Sequence, residues 1–318
     1  MILVVGESLM DMLPRESGGR GCFLPIPGGS PFNVSVALGR LGVPVRFLCP
    51  LSRDPFGELL RHVLLASRVD VSLCPLTTAL TTLGFVTPEA SSGTSNYAFY
   101  TAGTAGCALA PGHLPEQLPA STRCLHIGSF SLAVEPFGSA SEKLLNDHAN
   151  GRVVSLDPNI RPFLIPDKAS FVQRLDRILL RTHLVKLSAE DAEWLRPGVS
   201  FDVLAGDYLD RGARLVVFTL GAGGSLAFTR EEQVSVAAPP VHLADTVGAG
   251  DTFHAAMLCW LVRNHLLTPE KIGSLSGGQL QSLLGFAAAA AAITCSRPGC
   301  DPPWDRELAA STSDDSMQ

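Results

Sequence analysis

The chain has 318 residues, of which 46% are hydrophobic and 17% charged, enough apolar material for two domains or for one large α/β domain with an insertion. Thirty Asp and Glu against 24 Lys and Arg leave a formal charge of −6, which argues against a broad basic surface for nucleic acid. Eight cysteines without a CxxC pair read as reduced thiols of a cytoplasmic protein, eight histidines without an HExxH argue against a transition-metal centre, and the nearest candidate for a membrane span, residues 283–295, is too short.

Met1-Ile2-Leu3-Val4-Val5 is apolar throughout and ends at Gly6, the pattern of a central strand covered on both faces. It lacks the basic start of a signal peptide. Glu7 and Asp11 follow at its carboxyl end, where open α/β sheets place their ligands. Residues 23–27 predict an edge strand, because their two prolines cannot donate to a ladder. Gly28-Gly29-Ser30-Pro31-Phe32-Asn33 then opens a helix, with Pro31 suited to its first turn and Gly42 to its end. Asn33 is either a local cap or a reader of hydroxyl groups, since its amide both donates and accepts.

Residues 45–51 predict a second strand and 56–69 a helix. The pattern then changes: 82–87 and 96–100 are rich in aromatic and β-branched residues and flank a turn at 91–94. This inserted hairpin, roughly 82–104, is expected to join about 12–27 in a small β-sheet lid. Its aromatics would either cover a substrate or pack a dimer interface. Alternation resumes with strands at 125–127, 153–156, 184–187 and 215–219, separated by helices at 138–150, 168–180 and 201–212. Such repetition means a parallel sheet with helices on both faces. Polar or glycine-rich groups follow these strands: Asp157-Pro158-Asn159-Ile160-Arg161, Ser188-Ala189-Glu190-Asp191 and Gly221-Ala222-Gly223-Gly224. The last hints at an NAD-dependent oxidoreductase, but 225–229 continue as strand, so the required strand–helix context fails. No GxxxxGK[ST] loop occurs. A hairpin (225–228 with 234–237) precedes the next motif, a helix over 279–294 follows it, and the tail from 309 to 318 is expected to be disordered.

Between them lies Asp245-Thr246-Val247-Gly248-Ala249-Gly250-Asp251-Thr252-Phe253, which opens an apolar helix. Its glycines permit a sharp turn and a close approach, and the free N–H groups of the helix start suit an anion. Asp251 beside such a site is either a helix cap or a base that takes a proton from an attacking hydroxyl.

The segment Gly28–Asn33 with its helix resembles the first signature of the ribokinase-like (PfkB) family of carbohydrate kinases, and 245–253 is similar to the second, usually DTxGAGD. The likeness runs in order from Gly6 to about Gly299, and residues 126–136 and 157–161 look most like bacterial fructokinases. It implies a three-layer α/β/α domain over 1–308 with a mostly parallel sheet and a β lid. The implied activity is that of a phosphotransferase, moving the γ-phosphoryl group of ATP to a primary sugar hydroxyl. By the same resemblance Asp251 is the base, Gly248, Ala249 and Gly250 form the anion hole, and Arg161 pairs with phosphate. Asp11, Gly28, Gly29, Asn33 and Phe99, with Asp251, would bind the sugar. Lys186, Ser188, Thr219, Gly221, Gly223 and Gly224 would line the nucleotide site. Asp191, or alternatively Glu190, would organise Mg2+ through water, and a monovalent cation such as K+ would sit beside Asp245.

Four departures bear on specificity. The family's NxxE reads Ser188-Ala189-Glu190-Asp191; Thr101 and Gly106 stand where relatives often carry Arg and Asp; Ala288 stands for an Asn near the adenine. Ribose, ribosides and 2-keto-3-deoxygluconate therefore stay open as acceptors beside fructose. The rival from another class is a catalytically silent sugar-binding regulator, against which the intact Asp251 argues. The expected partners are sugar, ATP and a second copy of the chain through the lid, with neither nucleic acid nor membrane.

Overall fold

The crossover helices dictate the order of the large sheet, since each returns the chain to start the next strand in the same direction. Ile2–Val5 lies between Val45–Leu48 and Cys124–Gly128, and Val153–Asp157, Leu184–Ser188 and Leu215–Thr219 follow outward beyond the latter, all six parallel. The antiparallel hairpin Ser225–Phe228 and Gln233–Val236 completes eight strands. The computed structural model describes residues 1–88 and 95–314, so the turn expected at 91–94 lies outside the described residues. The continuous apolar runs of the central strands are explained by their burial on both faces. From Val5 the chain passes first to one side of the sheet and later to the other, which opens a crevice at the carboxyl ends of the strands.

The strand expected over 45–51 stops at Leu48. Pro50 has no N–H for a ladder, and Leu51–Ser52 pairs with Leu76–Thr77 in a separate two-stranded sheet. A second, four-stranded sheet has the order Arg20–Gly28, Leu9–Ser17, Leu83–Pro88, Ser95–Tyr100. Residues from about 12 were expected in this sheet, but a separate strand Leu9–Ser17 was not. Pro14 and the polar Arg15-Glu16-Ser17 hide it, yet Ser17 pairs with Arg20 around Gly18 and Gly19, whose φ of 58° and 72° make the two-residue turn of a tight hairpin. One face of this sheet turns Asp11, Leu13, Ile26 and Phe99 toward the crevice. Elsewhere on it Phe23, Phe85 and Tyr100 stack edge to face, with ring centroids 5.0 and 5.6 Å apart.

Helix Ala249–Arg263 is buried from Asp251 to Leu261 and packs against Ser30–Arg40 and Gly277–Cys295. The last is longer than the apolar run suggested, because Ser276 and Gln279 form a reciprocal cap that starts it early. By length and composition this 19-residue helix could cross a membrane; here Leu280, Leu283, Leu284, Ala287 and Ala290 are buried within the fold. The tail is helical rather than irregular from 309 to 314, as part of Asp305–Asp314: Leu308 is buried and Glu307 pairs with Arg297 at 2.6 Å. Residues 315–318 are outside the described set.

Candidate active site

A cleft of about 1360 Å³ runs along the carboxyl ends of the parallel strands and under the small sheet. Helix Ala249–Arg263 points its amino terminus into this space. Gly248 is the N-cap in the left-handed region (φ 75°, ψ 1°) and provides no side-chain cap. Its carbonyl accepts the Thr252 N–H at 2.8 Å, while the Ala249 N–H turns back to the Thr246 carbonyl at 3.2 Å. Among the described residues the N–H groups of Gly250 and Asp251 meet no backbone acceptor, as the first turn of a helix requires. Of the three residues expected to form the anion hole, Gly248 and Gly250 have N–H groups that meet no backbone acceptor among the described residues and Ala249 has an engaged one, with the open N–H of Asp251 next in line.

Asp251 does not cap its helix. Its Oδ1 accepts from Ser30 Oγ at 2.6 Å and, more distantly, from Asn159 Nδ2 at 3.4 Å, and its Oδ2 accepts from Asn33 Nδ2 at 2.8 Å. The Asn33 side chain is thus no local cap either. A buried carboxylate aimed by three donors beside a helix start can take a proton from a hydroxyl placed in the cleft.

At one end of the cleft Asp11, Gly29, Asn33 and Phe99 converge. Phe99 packs on Phe130 and Phe163, at 5.9 and 5.4 Å between centroids. Gly28 does not itself line the cleft; a Cβ there would stand 2.4 Å from Asp11 Oδ2, so its bare backbone makes room for that carboxylate. Burial pushes the Asp11 carboxyl up to about 6, with Arg161 pulling it down and Asp251 raising it further. Gly106 has no room for a side chain: a Cβ would stand 2.3 Å from the Ser8 carbonyl oxygen.

At the other end lie Thr219, Gly221, Gly224, Ala288, Ser188, Glu190, Asp191 and Lys186, whereas Gly223 does not line the cleft. Ser188 and Asp191 cap the helix Ala189–Leu195 reciprocally. Asp191 Oδ2 accepts from the Ser188 N–H at 3.1 Å and Oδ1 from the Ile160 N–H at 2.8 Å, so this carboxylate fastens two loops. Glu190 is exposed at the cleft wall. Asp245 accepts from the Val247 N–H at 3.0 Å and the Gly299 N–H at 2.9 Å.

A sequence profile described as pfkB family carbohydrate kinase matches residues 1–307. The chain belongs to the pfkB family. A fructokinase of Rhizobium leguminosarum bv. trifolii is 43% identical to this pfkB kinase over 284 residues, 89% of this chain and 86% of that protein. Among solved structures, the fructokinase of Xylella fastidiosa with bound ATP has a TM-score of 0.86 at 28% identity, covering 98% of both chains. The fructokinase of Vibrio cholerae O395 in its fructose-, ADP- and calcium-bound form has a TM-score of 0.81 at 25% identity, covering 97% of both. The pfkB kinase is accordingly a phosphotransferase acting on a sugar hydroxyl, with a ribokinase-like α/β fold.

Local sequence reasoning missed how Ser30 and Asn159 of the pfkB kinase serve Asp251. Asn159 has a φ of 38°, unusual outside glycine, and its Oδ1 accepts from Arg161 Nη1 at 2.7 Å while its amide faces Asp251. A strained backbone thus joins the arginine to the carboxylate. The signal available was an Asn between an apolar strand and Arg161, with nothing local to say what it touches.

Glu7 is 1% exposed, and its Oε1 finds no hydrogen-bond partner among the described residues. Burial raises its pKa from 4.5 to about 7, against weaker downward pulls from Ser129 and Ser131. Because the folded state holds this proton more tightly, the stabilisation is full below about 4.5 and is lost as pH rises through about 7. That amounts to about 3 kcal/mol. Thermal melts at pH 5 and pH 8 should show a loss of stability in the wild type that Glu7→Gln largely removes; equal losses in both proteins would contradict it.

Proposed function

We propose that this pfkB kinase phosphorylates fructose at its 6-hydroxyl with ATP as donor. The observation that carries the chemistry is Asp251, held by Ser30 and Asn33 next to the open N–H of Gly250. The hydroxyl oxygen attacks the γ-phosphorus, the bond to the β–γ bridging oxygen breaks, and ADP leaves with that electron pair while the hydroxyl proton passes to Asp251. The helix start stabilises the charge that develops on the group in flight, and Arg161 adds its fork of donors. Asp11, Gly29 and Asn33 read the sugar's hydroxyls, and Phe99 on the small sheet closes over the ring as part of a lid. On the face of the small sheet turned away from the cleft, Phe23 and Tyr100 are 44% and 62% exposed, which suits a second copy of the chain.

The resemblance to the Rhizobium fructokinase supports fructose as the acceptor. The test is the product: incubation with fructose and Mg-ATP should give a 6-phosphate ester by phosphorus NMR, whereas a 1-phosphate or no ester would contradict the assignment.

Magnesium belongs to the same reading. Among the described residues no cluster of three or more His, Cys, Asp or Glu could hold a metal by itself. This fits Mg2+, which keeps several waters and binds through one or two carboxylates plus phosphate oxygens. Bound there, it would neutralise charge on the nucleotide's phosphates. Glu190 is the better-placed carboxylate, since both oxygens of Asp191 already hold main-chain N–H groups. K+ would sit at the outer lip of the glycine turn, beside Asp245. Chelation should abolish turnover, Glu190→Gln should raise the Mg2+ requirement more than the sugar KM, and exchanging K+ for tetramethylammonium should slow the reaction. An unchanged Mg2+ titration in Glu190→Gln would return the role to Asp191.

A further inference from the structure

Lys186 lies within an apolar strand and is 4% exposed, yet it borders the cleft. Its Nζ donates to Asp157 Oδ2 at 2.9 Å. On another side, a Cβ on Gly250 would stand 3.1 Å from Nζ, which places the ammonium against the first turn of helix Ala249–Arg263. An ammonium has three donors, and among the described residues Asp157 is the one hydrogen-bond acceptor it meets. Asp157 is itself 1% exposed, and its Oδ1 has no hydrogen-bond partner among the described residues. A buried ion pair costs several kcal/mol per charge in desolvation and is weak evidence for a purely structural purpose.

We propose that Lys186 is a fixed cation for the phosphoryl group that ATP transfers, and that Asp157 is the residue that positions it; this rests on the kinase reading above. The group in flight spreads negative charge over three oxygens. The helix start meets that charge with partial dipoles, and Lys186, buried beside Gly250, adds a full positive charge that solvent screens little. Burial draws the lysine's pKa down, but Asp157, Asp191 and Asp251 outweigh it and hold the ammonium above its ordinary value. Behind Asp157, His254 Nδ1 stands 3.8 Å from Oδ2, and its Nε2 lies 2.6 Å from Ser155 Oγ. Ser155 Oγ is in turn 3.3 Å from His126 Nδ1. Burial keeps both histidines neutral, His126 down to about 3 and His254 well below its usual value. They wall off Asp157 without competing for its charge.

The role is read by titrating Mg-ATP and Mg-ADP calorimetrically, without sugar, into the wild type, Lys186→Met, Asp157→Asn and the paired variant Lys186→Met/Asp157→Asn. Lys186→Met should weaken ATP about tenfold, the worth of one charge-assisted hydrogen bond, and leave ADP nearly unchanged. Asp157→Asn should weaken ATP selectively but less. Lys186→Met strands a buried carboxylate, so the paired variant repeats the test in a chain with neither charge. Equal losses for ATP and ADP, or none, in the paired variant would overturn the proposal. A wild type that binds both nucleotides but does not phosphorylate fructose would overturn the acceptor alone.

Discussion

Asp251→Asn should cut kcat by about 10²–10⁴, the usual contribution of a positioned base. That corresponds to roughly 3–5 kcal/mol of barrier. The amide fits the observed surroundings: its oxygen can face Asn33 Nδ2, and its NH2 can face Ser30, whose hydroxyl turns to accept. Folding and sugar binding should therefore survive, because Asp11 and Asn33 remain. Nucleotide affinity should hold or rise, since a negative charge leaves the neighbourhood of the helix start. A folded Asp251→Asn protein with near-wild-type kcat would remove the base from the mechanism.

Gly248→Ala should be nearly as damaging, through geometry rather than proton transfer. Gly248 sits at φ 75°, where a side chain costs about 1–2 kcal/mol. Its new Cβ would stand 2.0 Å from Cys300 Sγ and 2.8 Å from Cys300 Cβ, so the turn or the cysteine must move. The turn carries the open N–H groups of Gly250 and Asp251. Displacing one such donor should cost about 10²-fold or more in kcat. Gly248→Ala/Cys300→Gly removes both clashing atoms and should recover part of the loss. Unchanged kcat in Gly248→Ala, or no recovery in the double variant, would mean that the turn does not govern the anion site.

Residues whose chemistry is written locally were the ones legible in the sequence. Gly248 to Asp251 stood out because two glycines and an acid open an apolar helix. The parallel sheet was visible because each central strand is a short apolar run closed by glycine or polar residues. Leu9–Ser17 was legible only as lid sequence from about residue 12 and not as a strand, because it carries Asp11, Pro14 and a polar end instead of a clean alternation. The two-residue Gly18-Gly19 loop was the clue to it. The partners of Asp251 could not be read, since Ser30 and Asn159 reach it only through the fold, 221 and 92 residues away in sequence. The contact between Asp157 and Lys186 is hidden for the same reason, although a lysine between Val185 and Leu187 is a signal in itself. Asp191 is a case where one spacing carries two readings. Its place in a motif suggests a metal, while its three-residue spacing from Ser188 equally makes a helix cap, which its Oδ2 forms as Oδ1 holds the Ile160 N–H.

The central claim is that this cleft transfers phosphate from ATP to fructose, and the steady-state rate of ADP release across fructose, ribose, a riboside and 2-keto-3-deoxygluconate tests it most directly. Fructose should give the highest kcat/KM, with turnover dependent on Mg2+. A far higher value for another acceptor with fructose nearly inert, or no sugar-dependent ADP release at all, would contradict it.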